Sequence, residues 1–530
     1  MSTRTSSSTT RRPVLAAGLT AVAVAAAALV GSSAAAAAPT ASGASSGASG
    51  AVSYLGVKAD ESAFHAAAPG ETGVACQRPA PDGRVSAYVH CYTPDQMRAA
   101  YGLGPLASSN DGAGQTIVLV DSYGSPTAAA DLAFFAATFG GPTPSFEQVF
   151  PIGTPNTAGA TGKGSGTSGP TAAEGWAGEA TLDIEWAYAI APKAHIVLMG
   201  VNPAETQGVQ GLPNLMRAMD WGISTYPSGT VFSMSFGTDE SAFAGAAAQQ
   251  FARFDQTFKR GQTKGDTFFA SSGDNGSVGV TRAHHQTATS PDPQVSYPNV
   301  SPYVTSVGGT QLQSGWTWNP VEDKPFNADG TRNPLYWQWT AGGLSEPVWN
   351  ESWAGIGTGG GISKVYARPA YQAPVASVVG THRGVPDLSW NAAVNGGTLV
   401  YRSFFPAIDG PPSWAVYGGT SAASPQAAAM TAIVNQSRKV ANKAPIGDLN
   451  AAIYGSAAVQ TGGFRDIVPV KDGTTPSGFL HNNRMWDTGA DGFVTPNPVP
   501  GYETTAGYDL TTGWGSPLAP GYVSTLTALK

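Results

Sequence analysis

From Cys91 onward, short apolar runs alternate with stretches patterned like helices, and this rhythm limits the fold more than any other feature of the chain. Thr116–Val120 ends at Asp121, and Ile196–Met199, Val231–Phe236 and Thr267–Ala270 continue the series. Between them, Ala180–Ile190 and Phe243–Phe258 are long enough for helices, and Ala422–Val434 reads as a helix that starts one residue after Ser421. Alternation of this kind specifies an α/β fold with a mostly parallel central sheet flanked by helices. Residues 311–350 and 471–504, rich in Gly, Pro, Asn and Trp, break the rhythm in the manner of long surface excursions. No internal repeat is visible, and one large domain over 91–530 is the simplest organisation.

The first forty residues bear on compartment. Arg11 and Arg12 precede a run of Ala, Val, Leu and Gly from Val14 to Val30, and a small-residue stretch then ends at Pro39. That is the order of a secretory signal, read here as residues 1–38, with secretion to the outside as the expectation. A membrane anchor is the competing reading; it is disfavoured because the run is only weakly apolar and lacks flanking Trp or Tyr. The paired arginines also suit a twin-arginine export route. Residues 39–90 are a short low-complexity segment, dominated by Ala, Ser and Gly over its first half. The two cysteines, Cys76 and Cys91, would form a disulfide outside the cell, with two free buried thiols as the alternative.

Charged residues make up 12% of the chain and the net charge is −7. That is about half the usual charged fraction. With no basic run to neutralise phosphates, nothing here supports a nucleic-acid partner. Sparse charge also suits work in acid, where fewer ion pairs are lost as carboxylates protonate.

Three local patterns carry chemistry. In Gly418-Gly419-Thr420-Ser421-Ala422-Ala423-Ser424-Pro425 a glycine-rich turn delivers a serine to a helix N-terminus, where backbone N–H groups favour developing negative charge. A plain Ser N-cap is the structural reading of the same residues. A serine nucleophile needs a base, usually histidine, yet none of the seven histidines lies in a His-Gly-Thr context, and His195 at a strand start reads as structural. Glu179 and Asp183, four residues apart, instead project from one helical face. Such a pair can share a proton and leave one member an accessible base in acid, where an imidazole would be protonated. The alternative is a solvated acidic face with Glu174 and Glu185 as companions. Finally, Ala270-Ser271-Ser272-Gly273-Asp274-Asn275-Gly276 runs an apolar strand into a tight turn that presents one acid. Asp274 is there either as a turn residue or, protonated, as a hydrogen-bond donor to an oxyanion.

In this order the patterns resemble one family, the sedolisins or serine-carboxyl peptidases, from about Cys91 to Pro517. Tyr92–Tyr101 is similar to the family's opening segment, and Ser301–Thr310, Gly359–Ser363 and Arg383–Asp387 to its supporting stretches. The resemblance implies a subtilisin-like fold, with Ser421 as nucleophile, Glu179 and Asp183 as the base pair and Asp274 as the oxyanion acid. It also implies one Ca2+ in the region 464–517, ligated by the carboxylates of Asp466 and Asp509 and the backbone carbonyls of Ile467, Thr505 and Gly507. Thr505 stands where the family usually has glycine, and Phe236 where relatives often have Trp. Asp121, placed like the triad Asp of subtilisins but without a partner histidine, is implied as an outer carboxylate of the Glu179–Asp183 network. The family's long folded prosegment has no counterpart in the short segment before Cys91.

The expectation is therefore a secreted, monomeric peptidase acting in acid on protein or peptide substrates, free of the membrane once its signal is removed. The alternatives are a non-catalytic binding protein that keeps the fold, its Trp-rich excursion (Trp316 to Trp353) serving a partner, and a neutral subtilisin-type enzyme.

Overall fold

Seven parallel strands form the central sheet: β1 (Thr116–Ser122), β2 (Ser145–Val149), β3 (His195–Val201), β4 (Val231–Met234), β5 (Thr267–Ser271), β6 (Thr305–Thr310) and β7 (Leu388–Asn391), in spatial order β7-β6-β5-β4-β1-β3-β2. The computed structural model describes residues 58–59 and 91–530, apart from 107, 156–169, 202–208, 210, 284–285, 319–338, 352–355, 395, 405–411, 470–480 and 489–493. The signal read at 1–38 and Cys76 lie outside the described residues, as does the 39–90 segment except for Lys58–Ala59, which pairs with Trp414–Ala415. Among the described residues no helix is long and apolar enough to cross a membrane.

The strands are continuous apolar runs because both faces of the sheet are covered. Along β1, Ile117 and Leu119 join one core and Val118 and Val120 the other; in β3, Ile196 and Leu198 part from Val197 and Met199 in the same way. Period-two alternation thus sorts one strand into two hydrophobic layers. The first layer holds the helices α1 (Pro170–Ile190) and α4 (Thr420–Val440); the second holds α2 (Leu212–Thr225) and α3 (Ala247–Lys264). Asp121 shares parity with Ile117 and Leu119, so β1 presents it to the α1/α4 layer.

Two boundaries differ from the sequence reading. The helix carrying the serine starts at Thr420, with Gly419 as its N-cap at φ +96°, so Ser421 lies inside the first turn. Glycine takes up the left-handed backbone, and the helix needs no further entry residue. The Phe243–Phe258 stretch splits into a 3-10 turn over Glu240–Ala246 and then α3. Within the two excursions, Gln313–Trp318 pairs with Trp339–Ser345, and Trp486–Thr488 with Val494–Pro496.

Candidate active site

The order in which strands are added to the sheet reverses between β1 and β4. The connection after β1 leads to the β3/β2 side of the sheet, and the one after β4 leads to the β5 side. In open parallel sheets the crevice outside the carboxyl ends of such strands is where ligands bind. Asp121 closes β1, Ser235 follows β4, and Asp274 follows β5. Glu179 and Asp183 on α1 and Ser421 on α4 reach the same place from the helical layer. All four sequence-predicted catalytic residues meet here, with Asp121.

None of them is solvated. Glu179 and Asp274 are 2% exposed, and Asp121, Asp183 and Ser421 are 0%. The solvated acidic face is thereby excluded, since Glu174 and Glu185 are also buried. An Ala-rich sequence permits this, because small side chains let α1 and α4 approach closely. Ala422, Ala423, Ala427, Ala428 and Ala429 on α4 pack in one core with Ala180, Ala187 and Ala189 on α1.

The carboxyl groups are distinguished by their partners. Ser235 Oγ donates to both oxygens of Asp183, at 3.0 and 2.9 Å. Asp274 Oδ1 accepts from the Thr420 backbone N–H at 2.8 Å and from its hydroxyl at 2.7 Å, which leaves Oδ2 to carry a proton. Among the described residues Asp121 and Glu179 have no hydrogen-bond partner of ordinary geometry, and neither has Ser421 Oγ. The hydroxyls of Ser421 and Ser235 nevertheless lie near enough to Glu179 to favour its ionised form in part. A nucleophile–base contact that is open in the resting site and tightens on substrate is the common pattern. Ser235 and Thr420 were not singled out from sequence; a serine at a strand end and a threonine beside the nucleophile were the available signals.

Burial dominates the electrostatics. It raises Glu179 and Asp183 well above ordinary carboxyl values, and the nearby Asp121 raises both further. Burial also pushes Asp121 up to about 8, and Asp274 up to about 7 against the lowering pull of Thr420. As a group these carboxyls therefore retain protons well above pH 4, and each loss of a proton makes the next harder, so one member can ionise while its neighbours stay protonated.

A stability consequence follows. The folded pKa values lie above the unfolded ones, so the stabilisation is fully present below the unfolded values near 4 and is lost as pH rises through the folded values. For Asp274, a rise from 3.8 to about 7 corresponds to about 4 kcal/mol. The thermal midpoint should fall steadily from pH 4 to pH 8; a flat or rising midpoint in a calorimetric pH series would contradict this assignment.

The described histidines are not part of this site. His195, at the amino end of β3, bonds Ser145 Oγ at 2.9 Å and Glu147 at 3.2 Å, which fits the structural role read for it. His382 bonds the neighbouring Thr381. Phe236 is buried in the second core directly after Ser235.

The predicted calcium residues also come together, in the 466–467 and 505–509 segments. Asp466 Oδ2 accepts the Gly507 N–H at 2.8 Å and Asp509 Oδ2 accepts the Thr505 N–H at 3.0 Å, so one loop contacts both carboxylates. Among the described residues, no hydrogen bond is made to the carbonyls of Ile467, Thr505 or Gly507. Two carboxylates and three undonated carbonyls are a donor set suited to a hard cation. Asp509 Oδ1 is already occupied by Thr511 and Thr512, which fixes its orientation.

Comparison with known proteins agrees with this fold. A family model described as the subtilase family matches residues 153–467. The chain is 30% identical to kumamolisin of Bacillus sp. (strain MN-32) over 379 residues, covering 70% of this chain and 56% of kumamolisin. It is 28% identical to sedolisin of Pseudomonas sp. (strain 101), covering 49% of this chain and 35% of that one. The chain thus spans about half or less of the length of these curated relatives. Among solved structures, Pseudomonas sedolisin complexed with two molecules of pseudo-iodotyrostatin has a similar fold. The TM-score is 0.55 at 22% identity, over 82% of this chain and 97% of that one.

Proposed function

The chain belongs to the subtilase family and, within it, to the sedolisins, and on that premise we propose that it is a serine-carboxyl peptidase that cleaves peptide bonds in acid. The observation that carries this reading is the convergence of Ser421, Glu179, Asp183 and Asp274 at the carboxyl ends of β1, β4 and β5. As Ser421 Oγ attacks the scissile carbonyl carbon, Glu179 takes its proton. Asp183, held by Ser235, orients Glu179 and shares its proton. Protonated Asp274 donates from Oδ2 to the oxyanion while Thr420 fixes Oδ1. Glu179 then returns its proton to the leaving amine, and water enters by the same base to release the acyl group from Ser421. A carboxylate base and a protonated acid coexist only where pKa values are spread, and burial with mutual repulsion among Asp121, Glu179 and Asp183 supports such a spread.

The test is digestion of casein in mild acid by the purified protein. Ser421→Ala should abolish turnover and leave the thermal unfolding profile nearly unchanged. Acid proteolysis retained in that variant ends the proposal.

Secretion, a Cys76–Cys91 disulfide and a monomeric state belong to the same reading; the signal-like first 38 residues and the 12% charged composition support it. A single Ca2+ held by Asp466, Ile467, Thr505, Gly507 and Asp509 is part of the same proposal. The ion would tie the 505–509 loop to the segment after Arg465, contributing rigidity and taking no part in the chemistry. Saturating calcium at a hundredfold excess over its dissociation constant corresponds to about 2.7 kcal/mol. Chelator should accordingly lower the thermal midpoint by several degrees, with calcium but not magnesium restoring it. A midpoint insensitive to both leaves these residues a structural turn.

A further inference from the structure

Helix α1 carries two acidic stripes. Glu179 and Asp183 face the crevice. Glu174, Gly178, Thr181 and Glu185, spaced by four, three and four residues, follow a second line along the helix. The second line meets the hairpin formed by Gly397–Arg402 and Ser413–Tyr417. Glu185 Oε2 accepts the Tyr401 backbone N–H at 3.0 Å. A Cβ placed on Gly178 would lie 2.8 Å from the Tyr417 hydroxyl and 3.3 Å from Arg402 Nη1, so both groups rest on the residue that precedes the base. Thr398 is the partner of Tyr417 and Ser413 that of Arg402. Strand parity therefore puts the Tyr417 and Arg402 side chains on one face of the hairpin.

We propose that Arg402, together with Tyr417, is a positioning residue for Glu179: it sets a buried positive charge behind the helical turn that bears the base. This rests on the peptidase reading given above. Both residues are buried, Arg402 at 6% and Tyr417 at 5% exposure, so the charge is weakly screened. The charged and titratable groups around Glu179 and this hairpin are Asp121 on β1, Asp183, Glu174 and Glu185 on the helix, Asp274 after β5, and Tyr417 and Arg402 on the hairpin itself. Six of these seven favour a protonated Glu179 or have no positive charge to offer. Arg402 opposes them. Tyr417 feels the field of Arg402 and, opposing it, those of Glu179, Glu185 and Glu174, which places the five in one electrostatic neighbourhood. Arg98, from the helix Pro94–Ala100, donates to the carbonyls of Ala189 and Ile190 at the far end of α1. A Cβ at 178 would crowd the Tyr417 hydroxyl most, at 2.8 Å, and would require Arg402 Nη1 to give by a few tenths of an ångström.

A cation near Glu179 lowers its pKa and keeps the base ionised further into acid. Arg402→Gln should therefore move the ascending limb of the pH profile of kcat/KM upward by about one pH unit, with the plateau largely preserved. Arg402→Lys should restore most of the shift, because charge rather than fork geometry is required. Gly178→Ala retains every charge and is a better helix former, yet should move the limb the same way by displacing Tyr417 and Arg402. It remains informative if Arg402→Gln fails to fold. A merely structural Arg402 predicts a uniform loss of rate and a lower thermal midpoint with the limb unmoved, and that result overturns the proposal. The same shift is read without turnover by carbon-13 NMR titration of Glu179 in the Ser421→Ala protein, with and without Arg402→Gln. If the wild-type protein shows no peptidase activity, the peptidase reading fails, while the NMR titration still decides the place of Arg402: an unshifted Glu179 overturns it.

Discussion

Replacing Glu179 by glutamine is expected to lower kcat by about 10⁴- to 10⁶-fold while the protein remains folded. Glutamine keeps the shape of the side chain and cannot accept the proton of Ser421. Its amide suits a site in which neither Glu179 oxygen has a partner among the described residues, so the loss should fall on turnover and spare stability. Asp183→Asn should cost less than Glu179→Gln, because Ser235 still has an oxygen to donate to and Glu179 remains in place. Steady-state kinetics on an acid-soluble peptide, alongside thermal unfolding, checks both. A Glu179→Gln protein that keeps a tenth of the wild-type rate would remove glutamate from the role of base.

The second large effect concerns Asp274. Truncation to alanine should lower kcat by about 10²- to 10³-fold, the cost of one oxyanion donor. The pH profile is the more telling readout. Asp274 must be protonated to donate, and burial pushes it up to about 7, so activity should fall as pH rises through about 7. Asp274→Asn keeps a donor that does not titrate; it should retain part of the rate and lose this descending limb. A descending limb unchanged in Asp274→Asn would assign the alkaline loss to another group.

Legibility in the sequence followed how local each role is. The Gly418–Pro425 turn, the Glu179–Asp183 spacing and the strand into Asp274 are contiguous patterns, and each could be read with its chemistry attached. The strands were also readable, because a sheet covered on both faces leaves unbroken apolar runs. Harder were roles decided by tertiary contact. Glu174 and Glu185 lie on a second line of the helix, away from Glu179 and Asp183, and only the arrival of the hairpin Gly397–Arg402 and Ser413–Tyr417 shows that they are buried. Ser235 and Thr420 are ordinary polar residues until Asp183 and Asp274 are placed beside them. Arg383–Asp387 was visible as a familiar stretch without a visible purpose. In the fold it is a buried ion pair, with Arg383 Nη1 2.8 Å from Asp387 Oδ1, and Asp387 also accepts from Ser306 N–H and the Tyr454 hydroxyl. Such a group is costly to orphan, so its role is structural.

The threading of α4 through the first core has a consequence for when the protein becomes dangerous. Asp121 and Ser421 are 300 residues apart in the chain, and Ser421 and Glu179 meet only when β1, α1 and α4 have all docked. Contacts of such long range form late in folding, after many loop closures. A chain not yet folded contains a serine without a base and carboxyls that water keeps near their ordinary values, and one interrupted before Thr420 lacks the serine altogether. Latency is in this sense a property of topology: the nucleophile is silent until the last long-range contact closes.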